Sequence, residues 1–146
     1  MKEKIDNKRY LFLSIHQQYA ELILDGKKTV ELRRRRPKVV KGDVVILYAT
    51  SPQCSVVGSA EVKDITEDSP SAIWVSSGKK AKVPKEDFDA YFESTNMAVA
   101  ISLKNHQRFA KPIPLARLRK LLSDFSPPQS YRYLSQCDAL LLGVKN

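Results

Sequence analysis

Short apolar segments separated by polar breaks fill the first 62 residues, and the period of each segment predicts its structure. Residues 9–15 form an aromatic and aliphatic run, which predicts a buried strand. In 16–25 the apolar residues recur at helical spacing, so we expect an amphipathic helix that ends at Gly26. Residues 29–33 alternate between apolar and polar side chains, as half-buried strands do. The pattern predicts two more strands, at 44–49 and 54–62.

Beyond residue 63 the pattern is less regular. Ser69 followed by Pro70 is a helix start signal, and we expect that helix to run to residue 74. The aromatic spacing in 84–92 predicts a second helix, and we interpret the whole segment 66–94 as an insertion. The other predictions are a loop at 76–80, a strand at 97–103, a helix with Leu115, Leu118, Leu121 and Leu122 facing inward, a helical turn at 129–134 and a last strand at 139–144.

The order of these elements predicts the fold class. There are at least five strands, and short helices separate them without a regular alternation of strand and helix. This order favours an α+β protein over a doubly wound sheet, so we predict a small mixed β-barrel decorated by short helices. We expect a single domain over 1–146, because this is a common domain size and no linker, repeat or low-complexity stretch divides the chain.

The charge is polarised along the chain, whose formal net charge is +9. Segment 26–42 holds eight basic residues and one acid, and segment 104–120 holds six basic residues and no acid. Segment 61–93 is acidic on balance. A strongly basic protein favours polyanionic partners, and the concentration of charge between Gly26 and Lys41 predicts that a nucleic acid binds there.

Several classes of protein are not expected from this composition. No apolar run approaches the roughly 18 residues that a membrane span needs, so we expect no membrane association. Residues 1–7 carry charges of both signs and no apolar stretch, which predicts a cytoplasmic rather than a secreted protein. Cys54 and Cys137 are the two cysteines, and their spacing suggests neither a disulfide nor a zinc site, so we expect no metal and no cofactor.

The segment 26–33, Gly-Lys-Lys-Thr-Val-Glu-Leu-Arg, continues into three more arginines and Pro37. It resembles the signature of the ASCH family, the activating-signal-cointegrator homology domains, which are relatives of the PUA domains. The resemblance implies a PUA-like barrel whose cleft, between the first helix and the barrel, takes RNA or a nucleotide. Further similar features are Ser14-Ile15, Lys41-Gly42-Asp43, the segment 48–52, Val57-Gly58 and the segment 127–132.

Arginine side chains support the same expectation on physical grounds. A guanidinium binds phosphate through paired hydrogen bonds, and four consecutive arginines at a strand end point to both faces. A solvated run of charge is the alternative. We expect RNA rather than DNA as the partner, possibly through a modified nucleotide, and the predicted binding residues are Ser14, Lys28, Glu31, Arg33, Arg34, Arg35, Arg36, Lys38, Tyr48, Gln129, Ser130 and Arg132.

Glu31 is the one acid in this basic segment, and it has two interpretations. It can pair with Arg33 or Lys28 and orient the basic side chain. It can instead accept hydrogen bonds from the amino group of an extruded base. The tyrosines Tyr48, Tyr131 and Tyr133 can stack on bases or pack in the core.

Two other functions stay open at this point. An enzyme could act on RNA as a ribonuclease, or on a modified cytidine as one ASCH-related group of amidohydrolases does; Lys28 falls on the lysine of that group, but Glu31 stands where it has threonine. A regulatory domain could use the basic face to bind an acidic protein partner. A binding module without strong catalysis is our leading hypothesis. The catalytic candidates are Lys28, Glu31, Tyr48 and Ser130.

Overall fold

The computed structural model describes residues 7–144, and within them a mixed six-stranded sheet curls into a half-barrel with several short helices around it. The α+β class and the barrel-like sheet predicted from the sequence are confirmed. The strands are β1 (Tyr10–Ile15), β2 (Val30–Arg33), β3 (Val44–Ala49), β4 (Ser55–Asp68), β5 (Ala98–Pro114) and β6 (Tyr131–Leu134). The helices are α1 (Gln17–Leu24), α2 (Pro70–Ala81), α3 (Lys85–Tyr91), α4 (Leu115–Leu121) and α5 (Gln136–Leu141).

The strand order in the sheet is β2-β5-β4-β3-β1-β6, and β1 is buried on both faces. It runs parallel to β3 and antiparallel to β6. Leu11 and Leu13 pack in one cluster with the buried face of α1, whereas Tyr10 and Phe12 pack in a second cluster with α4 and α5. Burial on both faces explains why this strand reads as an apolar run rather than an alternation.

A third apolar cluster joins α2 and α3 to strand β2. Val30 and Leu32 of β2 pack there with Ile73 of α2 and with Phe88 and Phe92, at the end of α3. Each of the latter two aromatic rings adjoins another ring at 4.7–5.0 Å. The segment 66–94 therefore lies against β2, next to the residues that the sequence singles out.

Helix α2 is longer than the sequence suggests. We expected it to end at residue 74, with a loop at 76–80, but it runs to Ala81. Gly78, which resembles a loop residue in the sequence, lies in this helix under the ring of Trp74, where an added Cβ would come within 2.8 Å of the ring. The left-handed residue that ends the helix is Lys82, at φ 55°.

Strands β4 and β5 also extend beyond the predicted 54–62 and 97–103. The added residues of each strand pair with the predicted part of the other, as Asp68 does with Ala98 and Pro114 with Ser55. Shifts in the register interrupt the alternation of apolar side chains along this hairpin, and much of its added length is exposed and polar. An apolar pattern therefore marks only the buried part of each strand.

Two predictions near the C-terminus are wrong. The helical turn expected at 129–134 is strand β6, whose Tyr-Arg-Tyr-Leu sequence pairs with β1. The strand expected at 139–144 is instead helix α5 and its end, because Ser135 caps the helix by accepting a hydrogen bond from the Asp138 amide at 3.1 Å. A short apolar run fits a buried strand or a helix equally well, and the cap decides.

Within residues 7–144 no helix is both long enough and apolar enough to cross a membrane. The sequence predicts a cytoplasmic location from residues 1–7, of which residues 1–6 lie outside the described residues.

We predict that Gly58→Ala lowers the free energy of unfolding by about 2–3 kcal/mol, as overpacking does in a close-packed core. An added Cβ at Gly58 would lie 2.3 Å from the backbone oxygen of Gln107 and 2.7 Å from Leu24, so the β4–β5 pair or α1 must shift. Urea unfolding measures the loss. Gly143→Ala is the control: it has open space but a φ of 82°, so only a backbone cost of about 1 kcal/mol is expected. Equal losses would show that the crowding at Gly58 is relieved cheaply.

Candidate functional site

A cleft of about 480 Å³ opens between α1, the end of β1, β2, helix α3 and the turn before β6. Its volume lies in the range of small-ligand sites. Three cations and two carboxylates line it, together with aromatic and aliphatic side chains. The lining residues are Ser14, Ile15, His16, Tyr19, Lys28, Glu31, Leu32, Arg33, Arg34, Thr50, Val83, Asp87, Phe88, Tyr91, Gln129 and Ser130.

The Glu31 carboxylate is buried in the cleft wall between two basic side chains. Its Oε2 accepts hydrogen bonds from Arg33 Nε at 3.0 Å and from Arg33 Nη2 at 2.8 Å. Its Oε1 lies 3.5 Å from Lys28 Nζ. The alternation of β2 places Glu31 and Arg33 on the same face, so the strand itself presents the pair. Of the two interpretations of Glu31, the structure contains the ion pair with Arg33 and Lys28.

Arg33 also joins the cleft wall to two other segments. Its Nη2 donates to the carbonyl oxygen of Ser14 at 2.8 Å, and its Nη1 donates to Ser130 Oγ at 3.2 Å. Ser14 in turn donates from its hydroxyl to the Pro128 carbonyl at 2.7 Å. Arg33 therefore holds β1 and the turn at 127–130 in place, and four of its five N–H donors have partners within the protein.

Lys28 is 2 % exposed and reaches the same carboxylate from the loop after α1. The left-handed Gly26 lets the chain turn, so that the amide of Lys28 donates back to the Leu22 carbonyl at 3.0 Å. Lys28 Nζ donates to the carbonyl of Ala81, the last residue of α2, at 2.5 Å. Burial lowers the pKa of the Lys28 ammonium, and the Glu31 carboxylate opposes this shift.

Helix α3 supplies the opposite wall, and the sequence did not identify its residues as part of a site. Arg34 donates from Nε to the Tyr91 carbonyl at 2.7 Å, and its guanidinium lies 4.1 Å from the centre of the Tyr91 ring. Burial raises the pKa of the Tyr91 hydroxyl; Arg33 acts against this rise and Glu31 adds to it. Tyr91 therefore lies within electrostatic reach of the buried pair. Val83, Asp87 and Phe88 complete this wall.

The family match covers most of the elements that form this cleft. The ASCH domain family matches residues 13–107, a range that includes β1 from Leu13 onward, α1, β2 and α3. The chain belongs to the ASCH domain family. The resemblance inferred from the motif at 26–33 is thereby confirmed.

Individual proteins are also similar to this chain, in sequence and in structure. A protein of Zymomonas mobilis described as an ASCH domain-containing ribonuclease is 35 % identical over 130 residues, which is 89 % of this chain and 87 % of that protein. The crystal structure of ASCH from Zymomonas mobilis superposes with a TM-score of 0.88 at 34 % identity, covering 92 % of this chain and 93 % of that one. The large ribosomal subunit protein uL22 of Ureaplasma parvum is 26 % identical over 85 % of this chain and 39 % of its own length.

Seven of the predicted binding residues line the cleft of this ASCH chain. They come from four separate segments of the sequence: the end of β1, the loop after α1, strand β2 with its following residue, and the turn before β6. The seven are Ser14, Lys28, Glu31, Arg33, Arg34, Gln129 and Ser130.

Tyr48 and Arg132 lie elsewhere. Tyr48 is 3 % exposed and packs in the second apolar cluster, with its ring 5.5 Å from that of Phe12. Burial and the neighbouring Cys54 raise the pKa of its hydroxyl. Arg132 lies over the ring of Phe125 at 5.3 Å. Their predicted contact with a ligand in the cleft has no support in this geometry, because both belong to the face of the sheet that packs against α4 and α5.

Arg36 and Lys38 line a second concavity rather than the cleft. We call it the basic groove; it measures about 460 Å³ and begins where the cleft wall ends. Arg35, between Arg34 and Arg36, is exposed. The four arginines therefore divide into Arg33 in the cleft wall, Arg34 and Arg35 on its rim and Arg36 in the groove. The groove is lined by Asn7, Arg9, Arg36, Pro37, Lys38, Val39, Val40 and Asp43.

Among residues 7–144, no group of three or more His, Cys, Asp or Glu side chains is arranged to hold a metal ion. His16 lines the cleft at the start of α1. The acidic side chains of the cleft are Glu31, which is paired, and Asp87 on the opposite wall.

We predict that Glu31→Gln lowers the free energy of unfolding by about 3 kcal/mol, because it leaves two buried cations without their counter-charge. The side chain of Glu31 is 8 % exposed and that of Arg33 is 12 % exposed, so water replaces little of the lost attraction. Guanidinium chloride unfolding provides the measurement. The matched control is Asp89→Asn, which breaks the exposed Lys85–Asp89 pair and costs at most about 0.5 kcal/mol. Equal and small losses in both variants would contradict the prediction.

Proposed function

We propose that this ASCH protein binds single-stranded RNA and takes one nucleotide of it into the cleft. The observation that carries the proposal is the buried Glu31–Arg33 pair in the wall of a cleft of ligand size, opposite an exposed arginine on Tyr91. The description of the Zymomonas relative as a ribonuclease supports RNA as the partner. Proteins that recognise RNA by sequence take up unpaired bases, which can be turned out and enclosed.

One carboxylate oxygen of Glu31 can accept a further hydrogen bond from a nucleobase. Oε2 already accepts from Arg33 Nε and Nη2, whereas the contact of Oε1 with Lys28 Nζ is longer, at 3.5 Å. An amino group of a base, such as N4 of cytosine, can donate to this second oxygen. In this proposal Glu31 selects the base, and Arg33 positions the carboxylate rather than binding phosphate.

In this proposal, arginines at the rim of the cleft bind the phosphates of the RNA. The described contacts of Arg34 use its Nε and the face of its guanidinium, so its outer N–H groups are assigned to the backbone of the RNA. Arg35 continues the rim. We place the protein in the cytoplasm, where RNA is available to such a site.

We predict that Arg34→Gln weakens binding of a ten-nucleotide single-stranded RNA of mixed sequence and lowers the slope of log Kd against log salt by about 0.7, as loss of one phosphate contact does. Fluorescence anisotropy between 50 and about 300 mM KCl measures both quantities. Arg117→Gln is the control, because Arg117 is an exposed residue of helix α4 that lines neither concavity, and the substitution removes the same charge. Equal slopes for the two variants would show that only net charge matters.

We also propose that the protein cleaves the RNA that it binds. The ribonuclease description of a relative at 35 % identity favours this activity, and Lys28 is a lysine of lowered pKa in the cleft. In its neutral form Lys28 accepts the proton of a 2′-hydroxyl. The 2′-oxygen then bonds to the adjacent phosphorus, and the 5′-oxygen leaves and takes a proton from water. The products are a 2′,3′-cyclic phosphate and a 5′-hydroxyl end.

We predict that Lys28→Met lowers the cleavage rate at least 100-fold, in line with the loss of a general base, while RNA binding changes much less. Because burial lowers the pKa of Lys28, the neutral amine becomes more abundant as pH rises from 7, so the wild-type rate increases and levels off below pH 10.5. The rate is measured on end-labelled RNA between pH 6 and about 10. An unchanged rate and pH profile in Lys28→Met would exclude Lys28 as the base.

The amidohydrolase alternative has little support, because Glu31 replaces the threonine of that group and is paired with Arg33. Whether the basic surface binds an acidic protein instead is tested below by competition with polyglutamate.

A further inference from the structure

The basic groove carries three cations that face solvent and one carboxylate that does not. Arg9, Arg36 and Lys38 are exposed, whereas Asp43 is 4 % exposed. Both oxygens of Asp43 accept backbone hydrogen bonds, from the amide of Arg9 at 3.0 Å and from that of Val40 at 2.8 Å. Asp43 therefore shapes the loop and offsets only one of the three positive charges, so the groove keeps a net positive charge.

An exposed tyrosine stands at the edge of this groove. Tyr133 of strand β6 is 42 % exposed, and its hydroxyl accepts a hydrogen bond from the amide of Lys38 at 2.7 Å. Its ring lies 5.9 Å from that of the half-buried Tyr131, at an interplanar angle of 72°. The hydrogen bond to its hydroxyl and the contact with Tyr131 thus fix the Tyr133 ring, while part of the ring surface faces solvent. A fixed aromatic surface beside cations is the combination that binds single-stranded nucleic acid.

Two short segments connect the groove with the cleft. Ser130 lines the cleft, and Tyr133 lies three residues further along β6, about 10 Å away at the rise of a strand. On the other side, Arg34 lines the cleft and Lys38 lines the groove. Arg9, directly before β1, ties the segment 34–38 to this strand by donating from Nη1 to the Lys38 carbonyl at 2.7 Å, and β6 pairs with β1 directly. The two concavities are therefore neighbours on the surface, connected through residues 34–38 and 130–133.

We propose that Tyr133 and the basic groove form a second nucleotide subsite, which stacks a base on the Tyr133 ring and binds its phosphate through Arg36 and Lys38. This inference rests on the proposed function, since the occupant is the same RNA strand whose neighbouring nucleotide enters the cleft. An acidic polypeptide would use the cations but would gain little from the ring, so the geometry favours RNA.

The experiment compares Tyr133→Leu with Tyr133→Phe, using two RNA ligands: a fluorescein-labelled ten-nucleotide RNA, which can fill both subsites, and a single ribonucleotide, cytidine 5′-monophosphate, which fills the cleft alone. Tyr133→Leu removes the stacking surface and is expected to weaken binding of the ten-nucleotide RNA about 10-fold, a typical loss for one stacked base. Tyr133→Phe keeps the ring and is expected to stay within about threefold. Binding of the single ribonucleotide, measured by competition, is expected to be the same in both variants, because one nucleotide in the cleft does not reach the Tyr133 ring.

A second measurement locates the RNA directly. The ten-nucleotide RNA carrying 4-thiouridine is cross-linked to the protein, and mass spectrometry identifies the attached peptide, which is expected to include Tyr133. Circular dichroism checks that each variant is folded. If Tyr133→Leu does not fold, Arg36→Gln takes its place, because Arg36 is exposed and its loss is expected to weaken binding of the ten-nucleotide RNA without affecting binding of the single ribonucleotide.

The outcomes separate the two proposals. If neither RNA binds the wild type, the proposed function fails, and the second subsite fails with it. If RNA binds and Arg34→Gln weakens it, but Tyr133→Leu and Arg36→Gln have no effect and cross-links map to the cleft alone, the cleft function stands and the second subsite is wrong. If polyglutamate displaces the RNA from the groove as effectively as unlabelled RNA at equal ionic strength, the groove takes an acidic polypeptide and the inference is overturned.

Discussion

A carboxylate buried between two cations is the constraint on which this cleft depends. Glu31 cannot be placed in the wall of an ASCH cleft without counter-charge, since an unpaired buried charge costs several kcal/mol. Arg33 meets that need, and in doing so it also bonds to the Ser14 carbonyl and to Ser130. Lys28 approaches from the other side and bonds to the end of α2. One charge cluster thereby fixes the relative positions of β1, β2, α2 and the turn before β6.

The parts of the fold that the sequence predicts well are those in which one residue pattern has one physical solution. The apolar run of β1, the helix that ends at Gly26 and the alternation of β2 are of this kind. Predictions fail where tertiary contacts decide. Helix α2 continues to Ala81 because Ile73 and Ala81 pack against strand β2, and segment 131–134 is a strand because β1 offers an unpaired edge. Neither contact leaves a local signal in the sequence.

The same distinction applies to the site. The motif at 26–33 locates Lys28, Glu31 and Arg33, because alternation on a strand is a local property that puts the last two on one face. The opposite wall could not be predicted, since Phe88 and Tyr91 have the spacing of ordinary core residues of an amphipathic helix. Tyr48 shows the converse case. It aligns with Ser14 across the β1–β3 pair, yet its ring is packed against Phe12, which a pattern of residue types does not specify.

The four consecutive arginines show why a count of charges is a poor guide to function. Arg33 is paired with Glu31 and has partners for four of its five N–H donors, so it adds little to the attraction of a polyanion. Arg34 has one edge fixed on Tyr91, and Arg35 and Arg36 are exposed. In the binding mode that we propose, attraction over distance therefore comes from three of the four residues, whereas Arg33 positions the Glu31 carboxylate that selects the base. Identical side chains acquire different functions here because a strand ends at Arg33 and the chain then leaves the sheet.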